Sequence, residues 1–358
     1  MTSKQVEIVI VASPDTLSTE HADLQPAIDR AKRLVEGAFA PNTRRSYAAT
    51  WRVFVRWCEV HGLSSLPATS QTVTLYVSEL VAGEVAGAPK RNQSPDGMAK
   101  RMRRPATAAS HLSSIAHHHM LKGLESPTEA VQVQLVMESA RKTYGATKNK
   151  KAPIVSTMLP TIIASIEADK TLSAAAKARN RTLILFGFYG AFRRSELVLE
   201  IEVTDIEEKP EGLVVHLRHS KTDQTRRGRY ISIMRLPHLP ELCPAAAVLR
   251  LRKTLSENGV TSGPLFRSMS RNSAGKPLGL NSVALVIKRT VRTAGYNDPA
   301  VSYAGHSLRA GYVTSAARAK SSLASIMEVT GHTDLRTLGE YIRLEGSWEN
   351  HATKGFSY

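Results

Sequence analysis

The stretch Gly305-His306-Ser307-Leu308-Arg309-Ala310-Gly311 decides the reading of this chain, because it sets a histidine and an arginine three residues apart at a helix start. Side chains three apart on a helix share a face, and the amides of the first turn point the same way, so the pair makes a cradle for a phosphate. Three more segments extend the pattern. Phe192-Arg193-Arg194-Ser195-Glu196-Leu197 and His219-Ser220-Lys221-Thr222-Asp223 precede it, Gly331-His332-Thr333-Asp334 follows, and Tyr341 stands nine residues beyond that histidine.

A phosphodiester under attack gains negative charge on its oxygens, and something positive must wait there. Arginine suits the task, since its planar fork pairs with phosphate oxygens and stays charged at any working pH. Arg193 and Arg309 are the candidates; Arg194 reads as facing DNA backbone or solvent. Gly331 reads as a helix stop from which His332 projects, and Glu196 reads either as the orienter of Arg193 or Lys221 or as a plain helix-face partner.

In order and spacing the four segments resemble the tyrosine recombinases, also called the phage integrase family, over about residues 40 to 343. Chain length and a small helical first half resemble Cre and the Xer recombinases within it. The resemblance implies that Tyr341 is the nucleophile, forming a covalent phosphotyrosine that preserves the bond energy without metal, ATP or other cofactor. A phenol needs help to lose its proton, with an ordinary pKa of about 10. His306 is the chosen acceptor, and the resemblance makes Lys221 the acid for the 5′ hydroxyl. It further implies double-stranded DNA as partner, a homotetramer on two sites, a Holliday junction and possible accessory proteins. The rivals are a type IB topoisomerase or telomere resolvase, and a catalytically silent DNA-binding regulator of the same fold.

The composition agrees with a polyanionic partner. Lys and Arg number 48 against 31 Asp and Glu, a net of +17. Residues 1 to 36 carry 4 basic and 6 acidic side chains, whereas residues 37 to 160 carry 16 and 7. The early helical region therefore belongs to the expected DNA footprint. Two cysteines, Cys58 and Cys243, are too few for a disulfide framework, and no signal peptide or membrane-length apolar run is read, so a cytoplasmic, nucleoid-associated protein without membrane contact is expected.

The fold reads as mainly α with a small β-sheet. Residues 1–35 read as an arm with a weak helix near 24–39, and residues 36–145 as a four-helix, SAM-like core DNA-binding domain. Asn42 is expected to cap its first helix, whose apolar side carries Tyr47, Trp51, Phe54, Val55 and Cys58 and leaves Arg44, Arg45, Arg52 and Arg56 for DNA. Helices over about 70–80, 106–121 and 127–144 follow. The basic stretch 83–104 is either a disordered insertion or a DNA-contacting loop. His117, His118 and His119 are consecutive, so on a helix they point about 100° apart and cannot converge on one ion. No metal is expected, and His117 and His118 are expected to touch DNA, as the resemblance implies.

Residues 146–155 read as a basic linker, with Lys150 and Lys151 available to DNA, and residues 156–343 as a mixed α/β catalytic domain. In it Thr182–Phe192 reads as a buried helix running into Arg193, and 213–217 with 230–234 as a hairpin carrying Lys221 near its turn. Helices are expected from Cys243-Pro244, from an Asn281 cap and from a Ser307 cap, with helix onward to Tyr341. Residues 344–358 read as a tail for contact between protomers.

Overall fold

The computed structural model describes residues 26–27, 29–30, 34, 37–85, 102–145, 151–219, 228–269, 275–332, 334–335 and 339. The chain divides into two compact units, Met1–Lys148 and Asn149–Tyr358. Most of the arm, most of the 83–104 stretch, Lys150, Lys221, Tyr341 and the tail lie outside the described residues.

The first unit packs α1 (Pro41–Val60), α2 (Ser70–Ala82), α3 (Pro105–Met120) and α4 (Val131–Tyr144). Asn42 does not cap α1. Ala40 holds that position with no side-chain bond, because Pro41 follows with its φ already helical and no N–H to satisfy. Thr69 caps α2 by accepting from the Thr72 amide, and Gly83 closes it in the left-handed region at φ 92°. Phe54, Trp57, Cys58, Val73, Tyr76, Val77, Leu80, Ile115, Val133 and Met137 make one core. Trp57, absent from the expected apolar side, is buried with its indole Nε1 donating to Glu79 at 2.8 Å.

The second unit is built on α6 (Ala174–Tyr189), whose residues from Ala178 to Phe188 are all buried. It starts eight residues before the expected Thr182, because Ser173 caps it by accepting from the Ala176 amide. It also stops short of Arg193, at Gly190 and the left-handed Ala191. Around it lie α5 (Leu159–Ala168), α7 (Pro244–Glu257), α8 (Leu280–Thr293), α9 (Ser307–Arg318) and α10 (Leu323–Thr330).

The sheet has three strands, β1 (Ile206–Lys209), β2 (Gly212–Leu217) and β3 (Arg229–Met234), in the order β1-β2-β3 and antiparallel throughout. The expected hairpin is β2 and β3; β1, with only Ile206 of its four residues buried, gave no alternating signal. Val215 pairs with Ile206 on one side and Ile231 on the other, which sets one face of the sheet into the core.

Two expected caps are displaced. Gly279 precedes α8, so Asn281 lies within the helix, and His306 precedes α9. The Ser307 hydroxyl accepts from the Ala304 amide, outside the helix. Residues 151–155, expected in the linker, belong to the second unit. Ala152 and Ile154 donate their amides to Ser302 and Ser307, and Ile154 is wholly buried. No helix among the described residues is long and apolar enough to cross a membrane.

Candidate active site

The break at the end of α6 builds the first half of the site. Ala191 is buried with φ 47°, a conformation that costs an alanine about 1–2 kcal/mol. Its carbonyl accepts from Arg309 Nη1 at 2.8 Å. Two residues on, Arg193 is held twice by one carboxylate. Glu196 Oε1 accepts from Arg193 Nη1 at 2.6 Å, and Oε2 accepts from the Arg193 amide at 2.8 Å. Glu196 is only 1% exposed and opens a single π-helical turn, Glu196–Glu200, a departure frequent at functional sites. Of the two partners open to Glu196 as an orienter, Arg193 is the one it bonds, three residues away along the chain.

The second half comes from α9 and the end of α10. Arg309 is 2% exposed, and its Nη2 lies 3.1 Å from His332 Nε2. Gly331 ends α10 in the left-handed region at φ 64°, as expected of a helix stop, and turns His332 toward Arg309. His332 Nδ1 is 2.8 Å from the Thr330 hydroxyl, which donates its own proton to the Ile326 carbonyl at 2.7 Å. A hydroxyl has one proton, so Thr330 must accept at the imidazole; His332 therefore carries its hydrogen on Nδ1 and accepts from Arg309 at Nε2. The network fixes a neutral ring. Its pKa is pushed down to about 4, first by burial and then by the charges of Arg309, Arg193, His306 and Arg229.

His306, at the start of α9, also has its pKa lowered, first by partial burial of its ring and then by the charges of Arg309 and Arg193. A neutral imidazole beside two guanidinium groups can accept a proton. Arg194 is half-buried and lays its aliphatic chain over Gly305, where an added Cβ would sit 2.8 Å from its Cδ. Only glycine leaves room for that contact in the turn before His306. Arg193, Glu196, His306, Arg309 and His332 are thus brought together, while Lys221 and Tyr341 lie outside the described residues.

The residues expected at DNA are distributed in both units. Arg44, Arg45, Arg52 and Arg56 are exposed on α1, with Arg45, Arg52 and Arg56 within one stripe at spacings of seven and four. The three histidines of α3 point apart. His117 packs edge-on to Phe39, His118 stacks on Trp51 at 4.2 Å, and buried His119 accepts the Ala68 amide. Packing of this kind occupies the ring faces of His117 and His118 and lowers both pKa values, burial being the leading cause. Lys151 donates to Ser302 at 2.8 Å.

Three contributors escaped the sequence reading. Ala191 and Thr330 act through a carbonyl and a hydroxyl, which no charge pattern marks. Arg229 does carry a signal: alternation along β3 sets it on the same face as Ile231 and Ile233.

The model of the phage integrase family matches residues 158–347. An integrase/recombinase xerD homolog of Selenomonas ruminantium is 33% identical over 328 residues, covering 90% of this chain and 87% of the relative. Among solved structures, the XerH site-specific recombinase bound to palindromic difH substrate, a post-cleavage complex, superposes with a TM-score of 0.56 at 16% identity, covering 87% of this chain and 79% of the other. A lambda integrase tetramer bound to a Holliday junction gives 0.55 at 14% identity, with 94% and 79% covered.

Proposed function

Since the chain belongs to the phage integrase family of tyrosine recombinases, we propose that it is a site-specific DNA recombinase that cuts and rejoins strands through a 3′-phosphotyrosine. The observation that carries this reading is the bonded run from Ile326 through Thr330, His332 and Arg309 to Ala191, beside an Arg193 held at two points by Glu196. Two guanidinium groups with fixed orientation suit the charge that builds on phosphate oxygens in the transition state.

In this reading the Tyr341 phenolic oxygen attacks the scissile phosphorus and its proton passes to neutral His306. The bond from phosphorus to the 5′ oxygen breaks, and Lys221 gives that oxygen its proton. Attack by a 5′ hydroxyl from the partner strand reverses the sequence and frees the tyrosine. The bond energy stays in the phosphotyrosine, so neither metal nor ATP is needed. His332 orients Arg309 as a neutral acceptor. The stripe on α1 and Lys151 neutralise backbone phosphates, with Lys150 and Arg194 as further contacts. Strand exchange between two sites, with four protomers and a Holliday junction as in the lambda integrase tetramer, completes the reaction.

The test is exchange between two labelled duplexes carrying a fragment of the encoding locus that the protein binds, in EDTA and without ATP. Recombinant products that disappear in Arg309→Ala, with binding retained, are expected. Relaxation of supercoiled DNA without exchange would instead identify a topoisomerase, and binding with neither activity a silent regulator.

A further inference from the structure

Arg229 opens β3, and the alternation of that strand turns it inward with Ile231 and Ile233. Nη1 donates to the carbonyls of Glu328 and Val329, at 3.1 and 3.0 Å. These are among the carbonyls that the end of α10 leaves without a partner inside the helix, and a cation there also meets the negative end of the helix dipole. The guanidinium lies against Gly331, where an added Cβ would stand 2.9 Å from Cζ and 3.0 Å from Nη1. Gly331 is the residue between Thr330 and His332. Nε and Nη2 of Arg229 are buried with no hydrogen-bond partner among the described residues, a cost a purely structural arginine normally avoids.

We propose that Arg229 is a positioning residue that pins the end of α10 to β3 and so sets His332 against Arg309. This rests on the reading of Arg309 and His332 as part of the phosphate site. Its second consequence is electrostatic, because the groups that act on His332 are Arg309 and His306 from α9, Arg193 from the segment after α6, and Arg229 from β3. All four favour the neutral ring. Arg229 has its own pKa lowered by burial, with Glu196 opposing the shift and Arg193 adding to it. Its bonds to the end of the helix that carries His332 set Arg229 apart from an arginine that only packs.

The test uses full-length Arg229→Met and Arg229→Lys, with three readouts: the His332 titration followed by NMR in the free protein, binding to a DNA fragment held by wild type, and single-turnover cleavage of it. In Arg229→Met, His332 should titrate upward by about half a pH unit or more once a nearby cation is gone. Cleavage should fall about tenfold or more with binding within about twofold, the pattern of a loss confined to the transition state. Arg229→Lys should keep the His332 midpoint near wild type while cleaving several-fold more slowly, because one ammonium replaces a planar fork. An unmoved His332 midpoint in folded Arg229→Met would overturn the proposal. If Arg229→Met does not fold, Arg229→Lys cleaving as wild type does would overturn it. The titration needs no DNA, so absence of cleavage in wild type would sink the reading of the site and leave the positioning claim separately decided.

Discussion

Glu196 shows how one buried residue governs the candidate site: its carboxylate takes both the side chain and the amide of Arg193. Replacing it with Gln keeps the shape and removes the charge. Charge-assisted hydrogen bonds contribute about 1.5–3 kcal/mol, so Glu196→Gln should lose stability in that range in chemical denaturation. Cleavage should fall more than binding, since Arg193 is then free to leave its orientation; a variant with full stability and rate would show that Glu196 only decorates the helix. At this scale the charged residues were legible because phosphate chemistry restricts which side chains serve it. What orients them was not. Ala191 contributes a strained carbonyl, Thr330 a hydroxyl that settles a tautomer, and neither property belongs to a residue type or a spacing.

At the scale of elements, α9 sets both His306 and Arg309, and one glycine seats it. A Cβ at Gly311 would lie 1.7 Å from the Ile154 carbonyl oxygen, which is backbone and cannot turn aside. Overpacking costs about 1–3 kcal/mol and more where backbone must move, so Gly311→Ala should lower the melting temperature strongly and abolish cleavage. Gly339→Ala is the control. An added Cβ there meets no described atom within 4 Å, so the melting temperature should hold, and any fall in cleavage would report lost backbone freedom near the proposed nucleophile. Equal tolerance at both positions would contradict the packing of α9. The long periodic helices of the first unit and the β2–β3 hairpin were legible from apolar spacing. The Cys243-Pro244 start was legible as well, but three other starts were not: Ala40, Ser173 and Gly279 hold the cap positions of helices expected to begin at Asn42, Thr182 and Asn281, by local backbone chemistry that periodicity does not register.

At the scale of the molecule, a net charge of +17 provides affinity for a polyanion, but charge alone carries no information about reaction. The proposed reaction rests on the second unit, where five of the seven proposed catalytic groups meet within one fold, and on membership of the phage integrase family. The class of the fold was legible in full from the ordered motifs. The DNA sequence recognised was not, because base-edge contacts depend on groove geometry that a single chain does not encode.

The most direct measurement is to trap protein on a nicked duplex from its bound locus, digest the SDS-resistant adduct and find the modified peptide by mass spectrometry. A nucleotide joined through its 3′ phosphate to Tyr341, and lost in Tyr341→Phe, is the expected result. A nucleotide on another residue, or intact binding with no adduct at all, would contradict the assignment of Tyr341 as the nucleophile.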